Sequence, residues 1–198
     1  MGNLRSVQKA FEVCGAKPKV TSSPADIEKA DKIILPGVGA FGQAMHELKK
    51  MKLIGALKDK IKSGAPYLGL CLGLQLLFSS SEEGHVKGLG ILPGKVKRFS
   101  AKSLKVPHMG WNTVSARKKN CPILKSVHAT DYFYFVHSFY AAPEEKDVML
   151  TSTRYGLEFC SSVWKGNIFA TQFHPEKSQS AGLNIIKNFV AYKSVGRA

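Results

Sequence analysis

Apolar residues along the chain fall into short periodic blocks. Leu4, Val7 and Phe11 recur at helical spacing and stop at Gly15, which predicts an opening helix with a glycine just past its end. Lys19-Val20-Thr21 reads as a short strand. Ile33-Ile34-Leu35 reads as a compact buried strand that breaks at Pro36-Gly37. Helical patterns follow over 43–50 and 53–62. Tyr67-Leu68-Gly69-Leu70 is a second buried strand, leading straight into Cys71 and a helical stretch over 72–78. From residue 84 to 94 the glycines multiply. Beyond them 95–99, 113–116, 132–136, 148–153, 159–164 and 168–171 read as strands with short connections, a succession that favours antiparallel pairing. The last block, 182–192, carries Leu183, Ile186 and Val190 near one face and reads as a terminal helix. Neither an internal repeat nor a low-complexity linker interrupts the alternation. The prediction is one α/β domain over residues 1–198, a mostly parallel, helix-flanked sheet extended by antiparallel strands.

Composition narrows the class. With 198 residues, 44% hydrophobic and 22% charged, the chain can build a real core, which excludes disorder, collagen-like repeats and a disulfide mini-scaffold. No apolar run approaches the roughly 20 residues needed to span a bilayer. Residues 1–5 lack the apolar core of a signal peptide, so the expectation is a soluble, cytoplasmic protein without membrane association. Four scattered cysteines with no C-x-x-C pair predict neither a zinc site nor a disulfide framework, and no metal or cofactor is expected.

Charge changes the picture less than its size suggests. Lys+Arg 29 against Asp+Glu 14 gives +15, which raises nucleic acid or an acidic partner as possibilities. The lysines are spread along the chain, however, and densest at Lys49, Lys50, Lys52, Lys58, Lys60 and Lys62, where helical spacing puts them on solvated faces. Tyr132-Phe133-Tyr134-Phe135, followed by Val136, reads more easily as a buried strand than as a base-stacking platform. The balance favours no nucleic-acid partner.

Three motifs carry chemistry. Gly69-Leu70-Cys71-Leu72-Gly73 lies between a strand and a helix and has the spacing of a nucleophile elbow, with cysteine in the serine position. So sharp a turn crowds its neighbours and needs small residues two positions either side, while the helix N-terminus behind it favours thiolate. A lone cysteine after an apolar strand is more often a buried small hydrophobe, and the flanking glycines shift the balance. Among six histidines only His174 has the right company, in Gln172-Phe173-His174-Pro175-Glu176. Positions two apart in an extended segment share a side, so Glu176 can hold one imidazole nitrogen while the other faces Cys71. The competing reading is a surface histidine beside a salt-bridging glutamate. Third, Pro36-Gly37-Val38-Gly39-Ala40-Phe41-Gly42 formally matches a dinucleotide fingerprint, yet the acidic residue at the right distance, Asp59, sits inside a lysine-rich helical segment. The better use of that turn is to offer backbone N–H groups to a developing oxyanion.

Jointly these motifs resemble the class I, triad-type glutamine amidotransferases. The resemblance is closer to the glutaminase subunits of imidazole glycerol phosphate synthase. It runs through Met1-Gly2-Asn3-Leu4-Arg5-Ser6-Val7, Ser81-Glu82-Glu83-Gly84, Val106-Pro107-His108-Met109-Gly110-Trp111-Asn112, Tyr134-Phe135-Val136-His137-Ser138-Phe139 and Thr171-Gln172-Phe173-His174-Pro175-Glu176-Lys177-Ser178-Gln179. The resemblance implies glutamine as substrate, Cys71 as nucleophile, His174 as base and Glu176 as its orienting carboxylate. It further implies an oxyanion hole from Leu72 and the Val38-Gly39 turn, and glutamine contacts from Gln75, Glu83, Ser138 and Phe139. A (β/α)₈-barrel cyclase subunit is the implied partner in a heterodimer, contacted by Asn3, Trp111, Asn112, Tyr134 and Lys177. It would receive the ammonia and, with its nucleotide bound, activate the glutaminase through reorientation of the Val38 peptide. The family opens with a short apolar strand ahead of the Gly-Asn turn, whereas this sequence starts at Met1 within that turn, so a first strand is expected to be missing. Other readings stay open at this level: an amidotransferase of another pathway, a cysteine peptidase of the same superfamily, or a basic nucleic-acid binder.

Overall fold

The structure, a computed structural model, describes residues 4–100 and 105–193. Helix α1 (Leu4–Val13) turns at Gly15, whose φ of +85° is left-handed and open to glycine at no steric cost. Helix α2 (Pro24–Lys29) follows, then β1 (Ile33–Gly37), α3 (Phe41–Lys50), α4 (Leu53–Lys62), β2 (Tyr67–Cys71) and the single turn α5 (Leu72–Gln75). Strands β3 (Phe78–Ser81), β4 (Val86–Lys87), β5 (Leu92–Arg98), β6 (His108–Thr113), β7 (Ser115–Ala116), β8 (Tyr132–His137) and β9 (Phe139–Pro143) come next. The chain finishes with β10 (Met149–Tyr155), β11 (Leu157–Lys165), β12 (Ile168–Thr171) and α6 (Gln179–Ala191).

Among the described residues ten strands form one sheet, ordered β1-β2-β12-β11-β9-β5-β3-β4, with β10 and β7 continuing from β11. Strands β1, β2 and β12 are mutually parallel, in a register that sets Gly37 beside Cys71 and Thr171 beside Leu70. All further pairings in this sheet are antiparallel except β3 with β5. The parallel core expected from the sequence is therefore present, and the antiparallel extension is the larger part. Strands β6 and β8 form a separate antiparallel ribbon, from His108 beside His137 to Thr113 beside Tyr132.

The centre of the sheet, at β2 and β12, is buried on both sides. Tyr67 and Leu72 join Phe41, Leu57, Leu77 and Phe78 in the core under α2, α3 and α4. Leu68 and Leu70, on the opposite face of β2, join Phe11, Phe133, Phe135, Phe169, Phe173 and Phe189 under α1, α6 and the ribbon. Every residue of β2 is buried, as a central parallel strand covered by helices requires.

Several local readings change. Residues 19–21 form no strand: Val20 is exposed, and Lys19 Nζ and Thr21 Oγ1 both bond the Asp26 carboxylate, at 2.7 and 2.6 Å, tying the loop to α2. With no apolar face to bury, the segment has no reason to pair, and Pro24 starts a helix instead. Strand β1 runs through Pro36-Gly37, and only Ile33 in it is fully buried. Among the described residues it has one neighbour, β2, and an edge position tolerates the missing proline N–H. The helix after Cys71 ends at Gln75, because Phe78 already belongs to β3. The expected strand at 113–116 is shortened to β7 at 115–116, while β6 (108–113) and β9 are strands that the pattern did not reveal.

Candidate active site

Cys71 closes β2 and opens α5 with φ +53° and ψ −104°, a backbone region that non-glycine residues rarely adopt. The glycines around it explain how the chain manages this. A Cβ on Gly69 would lie 2.6 Å from the Gly73 carbonyl oxygen, and one on Gly73 would lie 1.8 Å from the Leu35 carbonyl oxygen. Neither site admits a side chain. The buried Tyr67 hydroxyl donates to the Gly73 carbonyl at 2.8 Å and fastens the turn from below. Leu72 is the first residue of α5, so its N–H has no acceptor within the helix.

The Val38-Gly39 turn lies beside this elbow. Gly37 pairs with Cys71, and a Cβ on Gly37 would reach within 3.0 Å of Leu72 Cβ. Gly39 has φ +99°. Glu83 accepts the N–H of Phe41, the first residue of α3, at 2.8 Å. A carboxylate at a helix N-terminus is stabilising, and here it fixes the far end of the same turn.

His174 reaches the elbow from the end of β12. Its N–H donates to the Tyr134 carbonyl at 2.9 Å. Ser178 Oγ donates to the His174 carbonyl at 2.6 Å and accepts the Tyr134 N–H at 3.0 Å. The following turn packs so closely on α6 that a Cβ on Gly182 would lie 2.0 Å from the Pro175 oxygen. His174 Nδ1 lies 2.8 Å from Glu176 Oε1, with the two side chains 3% and 2% exposed. Burial alone lowers the imidazole pKa, but the Cys71 and Glu176 side chains beside it outweigh that and push it up to about 9. The pair is thus a buried ion pair, not a surface one.

Sequence reasoning missed Gln172. Its Nε2 donates to Cys71 Sγ at 3.6 Å, a normal reach for sulfur, and its Oε1 accepts from Gln75 Nε2 at 3.0 Å. Gln75 also donates to the Phe139 carbonyl at 2.9 Å. The signal was available, since Gln172 stands two residues before His174, the spacing used to connect His174 with Glu176.

The remaining expected residues divide. Ser138 and Phe139 sit at the β8–β9 corner, where their carbonyls accept from Phe99 N–H (3.1 Å) and Gln75. Trp111 packs edge-on against Tyr134 at 5.9 Å, and Lys177 Nζ stands 5.6 Å from the Tyr134 ring centre. With exposed Met109 and Tyr132 they make an apolar outer face of the ribbon. Asn112 points into the fold instead: its Nδ2 donates to the Arg154 carbonyl at 3.1 Å and lies 3.3 Å from His108 Nε2. Asn3 falls outside the described residues.

Two other histidines are buried together. His108 Nδ1 lies 3.0 Å from His137 Nε2, and His137 Nδ1 donates to the Phe139 carbonyl at 2.8 Å. Burial pulls His108 down to about 4 and His137 to about 3, so both are neutral near pH 7. Burial also pushes the Cys121 and Cys160 thiols up, to about 11 and about 12, which leaves them inert. Among the described residues no cluster of three or more His, Cys, Asp or Glu could hold a metal, and no helix is long and apolar enough to cross a membrane.

The sequence model for glutamine amidotransferase class-I matches residues 1–192. "Imidazole glycerol phosphate synthase subunit HisH" of Syntrophotalea carbinolica is 50% identical over 196 residues, covering 96% of this chain and 95% of that one. The HisH subunit of Moorella thermoacetica is also 50% identical, over 190 residues, covering 96% and 90%. The chain belongs to the class I glutamine amidotransferases, in the HisH family. Solved structures at lower identity share this amidotransferase fold. PurLQS from Thermotoga maritima superposes with a TM-score of 0.76 at 17% identity, covering 95% of this chain and 92% of that one. A structure described as a glutamine amidotransferase gives 0.74 at 17% identity, covering 96% and 95%.

Proposed function

We propose that this amidotransferase hydrolyses glutamine to glutamate and ammonia through Cys71, His174 and Glu176. The observation that carries the reading is the buried His174–Glu176 pair beside a cysteine on a strained strand-to-helix turn. His174 takes the Cys71 proton, and the thiolate attacks the carboxamide carbon of glutamine. The negative oxygen that forms is received by the Leu72 N–H and by an N–H of the Val38-Gly39 turn; one such donor is worth about 10²–10³ in rate. The C–N bond then breaks, ammonia leaves with the proton from His174, and a γ-glutamyl thioester remains on Cys71. His174 next deprotonates a water that attacks the thioester, and glutamate departs as the thiol reforms. Glu176 holds the imidazole in place and stabilises its protonated form. Gln75, Glu83, Ser138 and Phe139 line the approach for glutamine, Glu83 by exchanging the bond it makes here with the Phe41 N–H.

Ammonia passes to a (β/α)₈-barrel cyclase subunit, which makes imidazole glycerol phosphate and aminoimidazole carboxamide ribonucleotide for histidine biosynthesis in the cytoplasm. The HisH names of relatives at about half identity support that partner. So does the ribbon face of Met109, Trp111 and Tyr132, exposed beside Tyr134 and Lys177, because such aromatic anchors are what interfaces bury. A glutamine analogue with a chloroketone in place of the carboxamide tests the site directly. Covalent attachment to Cys71, blocked by excess glutamine, is the expected result; attachment elsewhere, or none, contradicts the reading.

A further inference from the structure

The amide of Gln172 touches the Cys71 sulfur, and its orientation is determined. The Phe139 carbonyl can only accept, and it receives His137 Nδ1–H at 2.8 Å and the Gln75 side chain at 2.9 Å, so the Gln75 atom there is nitrogen. The same NH₂ group has a second hydrogen, which meets Gln172 at 3.0 Å; the Gln172 atom facing it must therefore be oxygen. That leaves the Gln172 NH₂ turned to Cys71 Sγ at 3.6 Å. Gln172 and Gln75 are 0% and 5% exposed, and the Gln172 N–H is itself bonded to the Ser161 carbonyl at 2.8 Å. Water does not compete for these bonds; turning over Gln75 would set its oxygen against the Phe139 and Gln172 oxygens, and turning over Gln172 would set two NH₂ groups face to face.

We propose that Gln172 is a positioning residue for the Cys71 nucleophile, holding its sulfur by an N–H···S bond that favours the thiolate, with Gln75 and the Phe139 carbonyl setting the direction of that bond. The inference rests on the reading of Cys71 as nucleophile. A thiolate accepts a hydrogen bond more strongly than a thiol, so a fixed donor stabilises the charged form. The same bond selects one side-chain direction for sulfur on a backbone turn that Cys71 occupies under strain. Gln172 acts through Cys71 and makes no contact with substrate in this account.

The test follows the pH dependence of Cys71 alkylation by iodoacetamide in the full chain, read at that residue by peptide mass spectrometry. This readout needs no glutamine turnover. Gln172→Met keeps the bulk and removes the donor; Gln172→Glu keeps the shape and turns a carboxylate oxygen to sulfur. The expectation is that the midpoint of the alkylation profile rises by about one pH unit in Gln172→Met, roughly tenfold less thiolate at a fixed lower pH, and further in Gln172→Glu. Glutamine hydrolysis by Gln172→Met should lose kcat with little change in KM. Should Gln172→Glu fail to fold because of its buried charge, Gln172→Met with cooperative unfolding decides alone. An unshifted midpoint in folded Gln172→Met overturns the proposal. A shifted midpoint in an enzyme whose wild type releases no glutamate keeps the Gln172 assignment and removes the glutaminase reading, so the two failures are distinguishable.

Discussion

Glu176 Oε1 and His174 Nδ1 lie 2.8 Å apart with both side chains almost fully buried, and this contact, together with the Cys71 side chain, sets the protonation of the site. A buried imidazole without a carboxylate is neutral near pH 7 in this same molecule, as His108 and His137 are. The carboxylate and the neighbouring thiol reverse that outcome for His174.

Glu176→Gln keeps the volume and removes the charge. Glutamine hydrolysis should fall by roughly 10²–10⁴-fold, by loss of the orienting and charge-stabilising partner. Because the folded-state pKa of His174 is raised from 6.5 to about 9, the protonated pair stabilises the fold fully below pH 6.5 and that contribution is lost as pH rises through about 9. Denaturant titrations from pH 6 to 10 should show this loss in the wild type and a smaller one in Glu176→Gln. Equal losses would show that the pair is not what titrates.

Gly73→Ala and Gly55→Ala should have opposite signs. The Cβ of the first meets the Leu35 carbonyl oxygen at 1.8 Å, so strand β1 or the elbow must shift, at about 1–3 kcal/mol or more. Gly55 lies inside α4 with nothing within 4 Å of its Cβ position, and alanine there should stabilise by about 0.5–1 kcal/mol. Urea unfolding of the two variants checks both, and a neutral Gly73→Ala would refute the close approach of α5 to β1.

The buried histidines make the fold sensitive to acid. Their folded pKa values, about 4 and about 3, lie below the ordinary 6.5, so the unfolded chain binds more protons and stability falls as pH drops from 6.5 towards those values. At about 1.4 kcal/mol per unit the loss is on the order of a few kcal/mol. His108→Gln should be less stable at pH 7.5 yet show a shallower decline between pH 6.5 and 4. An unchanged slope would place the acid sensitivity elsewhere.

Trp111→Ala tests the ribbon face. Trp111 is 47% exposed and leans on Tyr134, whose backbone holds His174 at 2.9 Å. If the cyclase docks there, its affinity should fall by about 10–100-fold, as for a hot-spot aromatic, while the unfolding midpoint of the isolated chain barely moves. Titration calorimetry with the cyclase reads the first quantity, and unchanged affinity would move the interface.

Much of this site was legible because its residues are local in sequence. The elbow is five consecutive residues whose glycines are dictated by backbone clashes, and His174 to Glu176 is a three-residue turn. Helices α3, α4 and α6 followed from apolar periodicity. Strand β6 was not legible because its one buried position is His108, a residue that looks polar until it is seen bonded to His137. The Gln75–Gln172 bond was invisible for a different reason: it joins positions 97 residues apart through side chains that read as ordinary polar groups. Residues 19–21 had strand-like composition but no apolar face to bury, and propensity alone does not pair a strand.

Glutamate release from glutamine by the purified chain, alone and with the cyclase carrying its nucleotide ligand, tests the central claim most directly, with Cys71→Ala as control. The account predicts weak release alone, a large increase in the complex, and none in either setting for Cys71→Ala. Release that survives Cys71→Ala, or its absence from a folded complex, would contradict it.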